Sequence, residues 1–227
     1  MTILIGTTPR RTFDDSRRWI AEGTALLTDG IDRLGPADPS TGSGHRFDGD
    51  SQLPGWTRKH LIGHVAANAD ALGNLVSWAE TGAEKRMYAS PEQRNADIEE
   101  AATRPADELR AWYLRGAEEL DEAMDRLTPE QWEHEVITAQ LVTRKASDVP
   151  WMRAREVFVH AVDLGVGITF ADMPEDFLLA LADDIRTKRA LSDDDLRGVT
   201  GPLPGVAAWL AGRPHGMADA PELGPWL

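Results

Sequence analysis

Glu156 and His160 stand four residues apart in P-W-M-R-A-R-E-V-F-V-H-A-V-D-L, the stretch 150–164. In a helix that spacing sends both side chains from one face, and the neighbouring residues on it are apolar. A carboxylate and an imidazole are expensive to bury in such a face unless something pairs or coordinates them, and a divalent cation would do so. One helix leaves a cation short of ligands. The third donor expected is His64, in W-T-R-K-H-L-I-G-H-V-A-A-N-A-D, which falls mid-stripe on a second helix. Two imidazoles and a carboxylate suit zinc and related divalent ions, and three protein ligands leave positions open for water or substrate, as in a catalytic site. On spacing alone, such a pair more often forms a surface ion pair or a capped histidine; the helical phase of the three residues is what favours a metal.

His60 competes with His64, since H-L-I-G-H is itself an i, i+4 pair. It lies in the first helical turn beside Arg58 and Lys59, so a solvent-facing or outer-sphere position is expected for it. Asn68 and Asp163, each near one turn from a proposed ligand, are candidates to orient the imidazoles. His45, His134 and His215 receive no role. Arg153 and Arg155, flanking the metal pair, read as helix-surface cations.

These residues need helices to position them. Apolar residues at helical spacing predict a helix over 13–34, with Ile20, Leu27, Ile31 and Leu34 on one side. The Gly-, Pro-, Ser- and Asp-rich residues 35–55 predict a long loop. Thr57 is a good N-cap for a helix over 57–80, with Trp56 as a hydrophobic staple and Thr81-Gly82 as its stop. A crossover with a short helix is expected over 83–105, and a third long helix from Ala106. Thr128-Pro129 starts a short helical turn. Residues 134–142 are the most strand-like. Ser147 or Asp148 should cap the helix that Pro150 opens, and Gly165 and Gly167 end it. A fifth helix is expected from Pro174 to about Leu191, followed by a short one over V-A-A-W-L. Four amphipathic helices with a long first connection and a later crossover fit an antiparallel or crossed bundle, where metal sites are built between facing helices.

Composition narrows the function. The 227 residues, 41% hydrophobic and 27% charged, are those of a soluble globular protein. A formal charge of -14 disfavours nucleic acid as a partner. There is no cysteine, which removes disulfides, thiolate-ligated zinc and a cysteine nucleophile together. Any thiol used in chemistry must come from outside the chain. No apolar run is long enough for a membrane span, and M-T-I-L-I-G-T-T-P-R-R does not read as a signal peptide, so a cytoplasmic location is expected.

L-P-G-W-T-R-K-H-L-I-G-H-V-A-A-N-A-D-A-L and V-P-W-M-R-A-R-E-V-F-V-H-A-V-D-L, together with M-Y-A-S-P-E-Q-R-N-A-D-I-E and A-W-L-A-G-R-P, resemble the mycothiol-dependent maleylpyruvate isomerases. These belong to the wider DinB-like helical-bundle superfamily. The motifs span most of the chain in the right order. The resemblance implies a mainly α fold, a DinB-like four-helix bundle with a short C-terminal extension or small subdomain. A metal-binding bundle domain is expected over 1–168 and a small C-terminal segment over 169–227. It implies that His64, Glu156 and His160 ligate a divalent metal, most often Zn2+, and that the thiol cofactor is mycothiol. It further assigns Arg94 and Arg213 to the anionic substrate or the cofactor, with Asn68 beside them. The implied reaction is cis–trans isomerisation of maleylpyruvate to fumarylpyruvate in gentisate breakdown. The expected partners are thus a small dianionic substrate and a low-molecular-weight thiol, with no nucleic acid, no membrane and a monomer as working unit. Arg86, Arg153 and Arg155 are further available cations. Two other functions fit the same residues: a mycothiol S-transferase, and a non-catalytic bundle with a structural metal.

Overall fold

The computed structural model describes residues 11–35, 44–192, 194–217, 220–224 and 226. It divides into two compact units, Ser16–Gly167 and Ile168–Leu227, the second including the residues before Ser16.

The larger unit is built on α1 (Phe13–Arg33), α2 (Gly44–Asp48), α3 (Arg58–Thr81), α4 (Pro91–Ala102), α5 (Ala106–Asp125), α6 (Pro129–Trp132), a hairpin of β1 (Glu135–Ile137) and β2 (Thr143–Lys145), and α7 (Val149–Asp163). Of the predicted long loop, 36–43 lies outside the described residues, and α2 occupies part of the remainder. The centre of the unit is α3, which packs against α4, α5 and α7. Neighbours on several sides explain why Leu61, Ile62, Val65, Leu72, Leu75 and Val76 are all buried, more than one stripe of the helix. Each such side chain contributes about 1.5–3 kcal/mol by leaving water. By contrast, α1 buries one stripe, Trp19, Ile20, Gly23, Leu27 and Ile31. Its opposite face is charged.

Small residues set two close approaches. A Cβ at Gly23 would meet Val157 Cγ2 at 2.5 Å, so α1 lies directly on α7. A Cβ at Gly63 would meet the Ala101 Cβ at 2.5 Å. That contact brings α4 against the part of α3 that carries His64.

Capping follows the sequence with two differences. Thr57 caps α3 as expected, but the reciprocal bond comes from His60, whose Nδ1 is 3.2 Å from the Thr57 backbone nitrogen. Gly82 closes the helix in the left-handed region at φ 73°. Neither Ser147 nor Asp148 caps α7 through its side chain. A 3-10 turn over Ala146–Asp148 runs straight into the helix, and Pro150 needs no donor partner in its first turn. The carbonyls at the other end of α7 are taken by Gln52, whose N–H donates to Asp163 O at 2.7 Å, and by Arg58, whose Nε donates to Leu164 O at 2.9 Å. The loop before α3 is thereby tied to the end of the helix that holds Glu156 and His160.

The predicted extended segment is a small antiparallel hairpin, with Val136 opposite Arg144 and buried. It lies beside the end of α3. There His134 Nδ1 donates to Ala79 O at 2.7 Å and Gln131 Nε2 to Glu80 O at 2.9 Å, occupying carbonyls the helix leaves open.

In the second unit, a 3-10 turn over Phe170–Asp172 leads to α8 (Glu175–Lys188), which starts after Pro174 and stops three residues short of Leu191, and to α9 (Leu203–Leu210). Here α8 and α9 pack on each other, and Arg189 Nε donates to Leu210 O at 3.0 Å. Among the described residues, no helix is long and apolar enough to cross a membrane.

Candidate metal centre

His64 reaches inward from α3, and Glu156 and His160 from one face of α7. His64 Nε2 is 3.2 Å from Glu156 Oε2, and His160 Nε2 is 3.3 Å from the same oxygen. The imidazole rings lie 5.1 Å apart, nearly perpendicular at 84°. One ligand atom from each residue falls within 4.8 Å of the others, and among the described residues this is the group that could hold a metal ion. The donor set fits a small divalent cation. Ligands about 2.0 Å from a tetrahedral centre stand roughly 3.3 Å from one another, which matches both nitrogen–oxygen separations.

Electrostatics point the same way. Burial raises the Glu156 carboxyl, yet hydrogen bonds from His160 and His64 hold it well below its ordinary value. Burial lowers His160, but hydrogen bonds to Asp163 and Glu156 outweigh it and push the imidazole up to about 9. In the protein without an ion, a proton on His160 thus compensates the carboxylate. A cation would take over that role. For His64, burial prevails over Glu156 and the pKa falls.

The outer atoms of the two rings meet opposite partners. His160 Nδ1 lies 2.9 Å from Asp163 Oδ2, with Asp163 fully buried. A carboxylate there keeps the proton on Nδ1 and turns the Nε2 lone pair to the centre. His64 Nδ1 instead lies 3.3 Å from Arg94 Nη2, brought in by α4. The Trp56 ring packs on the His64 ring at 5.3 Å, walling the α3 side. Solvent reaches the centre through Glu156, whose side chain keeps 16% exposure against 8% for His64 and 3% for His160.

Two expectations need correction, that for Asn68 and that for the pair Arg153 and Arg155. Asn68 does not orient an imidazole: its Oδ1 accepts from Arg153 Nη1 at 3.0 Å, and it is buried beneath the centre. Arg153 and Arg155 are not surface cations. Arg153 is 0% exposed, because its spacing from Glu156 and Val157 places it on the inner face of α7. Its Nη1 also donates to Val65 O at 2.7 Å, while Nε and Nη2 have no partner among the described residues. Arg155 is buried with its guanidinium 5.7 Å from the Trp151 ring. His60 belongs to the cap of α3, with Nε2 3.4 Å from Glu99. Arg86 is largely exposed, with Nε 2.5 Å from Glu84 and the guanidinium 5.8 Å from the Trp78 ring. Arg213 lies in the second unit, buried, with Nη1 donating to Ala211 O at 2.8 Å. It lines a cavity there of about 740 Å³ with His215 and Trp209.

One residue near the centre receives no role from the sequence, although it lies in the motif M-Y-A-S-P-E-Q-R-N-A-D-I-E. Tyr88, in the segment leading to α4, has its ring 5.8 Å from the Arg94 guanidinium and lies within the field of Glu156. It sits in no periodic pattern. Only the fold places it here.

The family model described as the mycothiol maleylpyruvate isomerase N-terminal domain matches residues 41–165. A crystal structure of the mycothiol-dependent maleylpyruvate isomerase superposes with a TM-score of 0.82 at 36% identity, covering 95% of this chain and 98% of that one. A histidine-to-alanine mutant of that isomerase superposes with a TM-score of 0.81 at 35% identity, with the same coverage of both chains. No curated protein matches the chain significantly.

Proposed function

Since the chain belongs to the mycothiol maleylpyruvate isomerase family, we propose that it converts maleylpyruvate to fumarylpyruvate with mycothiol as thiol cofactor and zinc as the metal. The observation that carries this is the convergence of His64, Glu156 and His160 from two helices, with one side left open. Within the 1–168 expected from the sequence, the unit Ser16–Gly167 is the metal-binding domain, the residues from Ile168 onward form a small C-terminal subdomain, and the enzyme acts in the cytoplasm.

A carbon–carbon double bond does not rotate, so isomerisation requires that it become single for a time. Reversible addition of a sulfur nucleophile achieves this, and the absence of cysteine assigns that sulfur to the cofactor. A divalent ion, when bound, supplies Lewis-acid chemistry that favours thiolate over thiol near neutral pH. The chain's own residues do the remainder. His64, Glu156 and His160 hold the ion, and Asp163 fixes the His160 tautomer. Arg94, at the open side, meets a substrate carboxylate with its planar fork. That local cation is needed because a dianion approaches a chain of net charge -14.

The test is an assay of maleylpyruvate with and without mycothiol, on metal-replete and chelator-stripped protein. Formation of fumarylpyruvate only when both thiol and metal are present is the expected result. Accumulation of a stable thiol adduct would instead establish a transferase, and no turnover with every component present would overturn the reading.

A further inference from the structure

Tyr88 is held at the same open side by neighbours that leave it little freedom. Asn74 Nδ2 of α3 donates to Arg86 O at 3.1 Å, and the Ala139 N–H donates to Met87 Sδ at 3.3 Å. Ser90 then caps α4. The segment 86–90 is therefore pinned on both sides of Tyr88. Arg94, one turn into α4, lies 5.8 Å from the Tyr88 ring and 3.3 Å from His64 Nδ1. A guanidinium can only donate, so Arg94 beside the phenol leaves the phenol's own proton free for another acceptor.

We propose that Tyr88 is a catalytic residue, donating a hydrogen bond to the substrate's ketone oxygen as negative charge develops there. This rests on the isomerase reading above. In that reaction, a carbon–sulfur bond forms at the alkene carbon β to the ketone. The alkene π pair moves toward the carbonyl carbon, and the carbonyl π pair moves onto oxygen. After rotation the electrons return, the carbonyl re-forms and the carbon–sulfur bond breaks. Tyr88 keeps its proton throughout, so the cycle needs no acid, base or redox partner from outside. Burial and the nearby Glu156 charge both push the phenol up, which keeps that proton in place. A donor aimed at developing charge in a partly desolvated site contributes more than the same bond in water. Arg94 serves two ends, with its guanidinium toward a carboxylate and its charge beside the phenol. That charge polarises Tyr88 as a donor.

The test is Tyr88→Phe, which keeps the ring and removes only the hydroxyl. Holoenzyme with mycothiol is expected to lose kcat by about 100- to 1000-fold, the range for loss of one such donor, with KM for maleylpyruvate changed less than about threefold. Zinc affinity by chelator competition and thermal midpoint should match wild type. Maleate, a dicarboxylate with no ketone, should bind Y88F and wild type equally by calorimetry. Unchanged kcat, or a loss that tracks lost zinc, would overturn the role. An equal loss of maleate affinity would also overturn it, placing Tyr88 in carboxylate binding. A wild-type protein inactive toward maleylpyruvate would sink the isomerase reading instead.

Discussion

His160 and His64 face the same carboxylate oxygen at nearly the same distance, yet their surroundings are opposite. His160 has Asp163 behind it, is the more deeply buried and is pushed up to about 9. His64 has Arg94 behind it, a tryptophan ring on its face and a lowered pKa. The α7 half of the centre is a fixed mount, with its negative charge matched to a cation. The α3 half is where positive charge, an aromatic wall and a phenol gather beside the opening. Both side chains face the ion position, but the atoms behind them differ: His160 is anchored, and His64 stands beside the groups that can meet a ligand.

The largest break in this comparison comes from the shared oxygen. Glu156→Ala removes the one group both imidazoles address, and should weaken zinc binding by well over the roughly 100-fold that loss of an outer partner can cost. Inductively coupled plasma mass spectrometry after dialysis checks it. Asp163→Asn should lower zinc affinity by about 10- to 100-fold while leaving the fold intact. Arg94→Ala acts on the other half. It should raise KM for the dianion by about 10-fold, the scale of one lost charge-assisted hydrogen bond, with zinc content nearly unchanged. Equal loss of zinc in R94A would erase the distinction between the halves.

The two histidines should also give metal-free protein opposite responses to pH. His160 is raised in the folded state, so its contribution is complete below its ordinary value of 6.5 and is lost as pH climbs through about 9. His64 is lowered, so its contribution is present above 6.5 and is lost as pH falls toward its folded value. Chelator-treated protein should therefore lose roughly a few kcal/mol from pH 6.5 to 9 in denaturant melts. Zinc should flatten that decline. The smallest effect expected is Gly63→Ala, which crowds Ala101 and should cost about 1–3 kcal/mol in the same melts.

The sequence made the candidate metal-binding group readable because helical spacing put Glu156 with His160 and set His64 in an apolar stripe. Helix ends at Thr57, Gly82, Thr128 and Gly165 were readable for the same local reason: caps and left-handed glycines act over a few residues. Arg153 was misread because an arginine in a helix is usually solvated, and only the carbonyl of Val65 and the amide of Asn68, both on another helix, explain its burial. His60 lies in the first turn and part-exposed as expected, but its capping role was not readable because the reciprocal position is usually Glu or Gln, whereas here an imidazole fills it. Tyr88 depends on contacts from α3, α4 and the hairpin loop, which no local pattern carries.

The central claim is that side chains from α3 and α7 share one ion. X-ray absorption spectroscopy of zinc-loaded wild type and H64A tests it most directly. The account predicts two imidazole nitrogens and a carboxylate oxygen at about 2.0–2.2 Å in wild type, with one imidazole lost in H64A. Identical spectra for the two proteins, or a shell without imidazole, would contradict it.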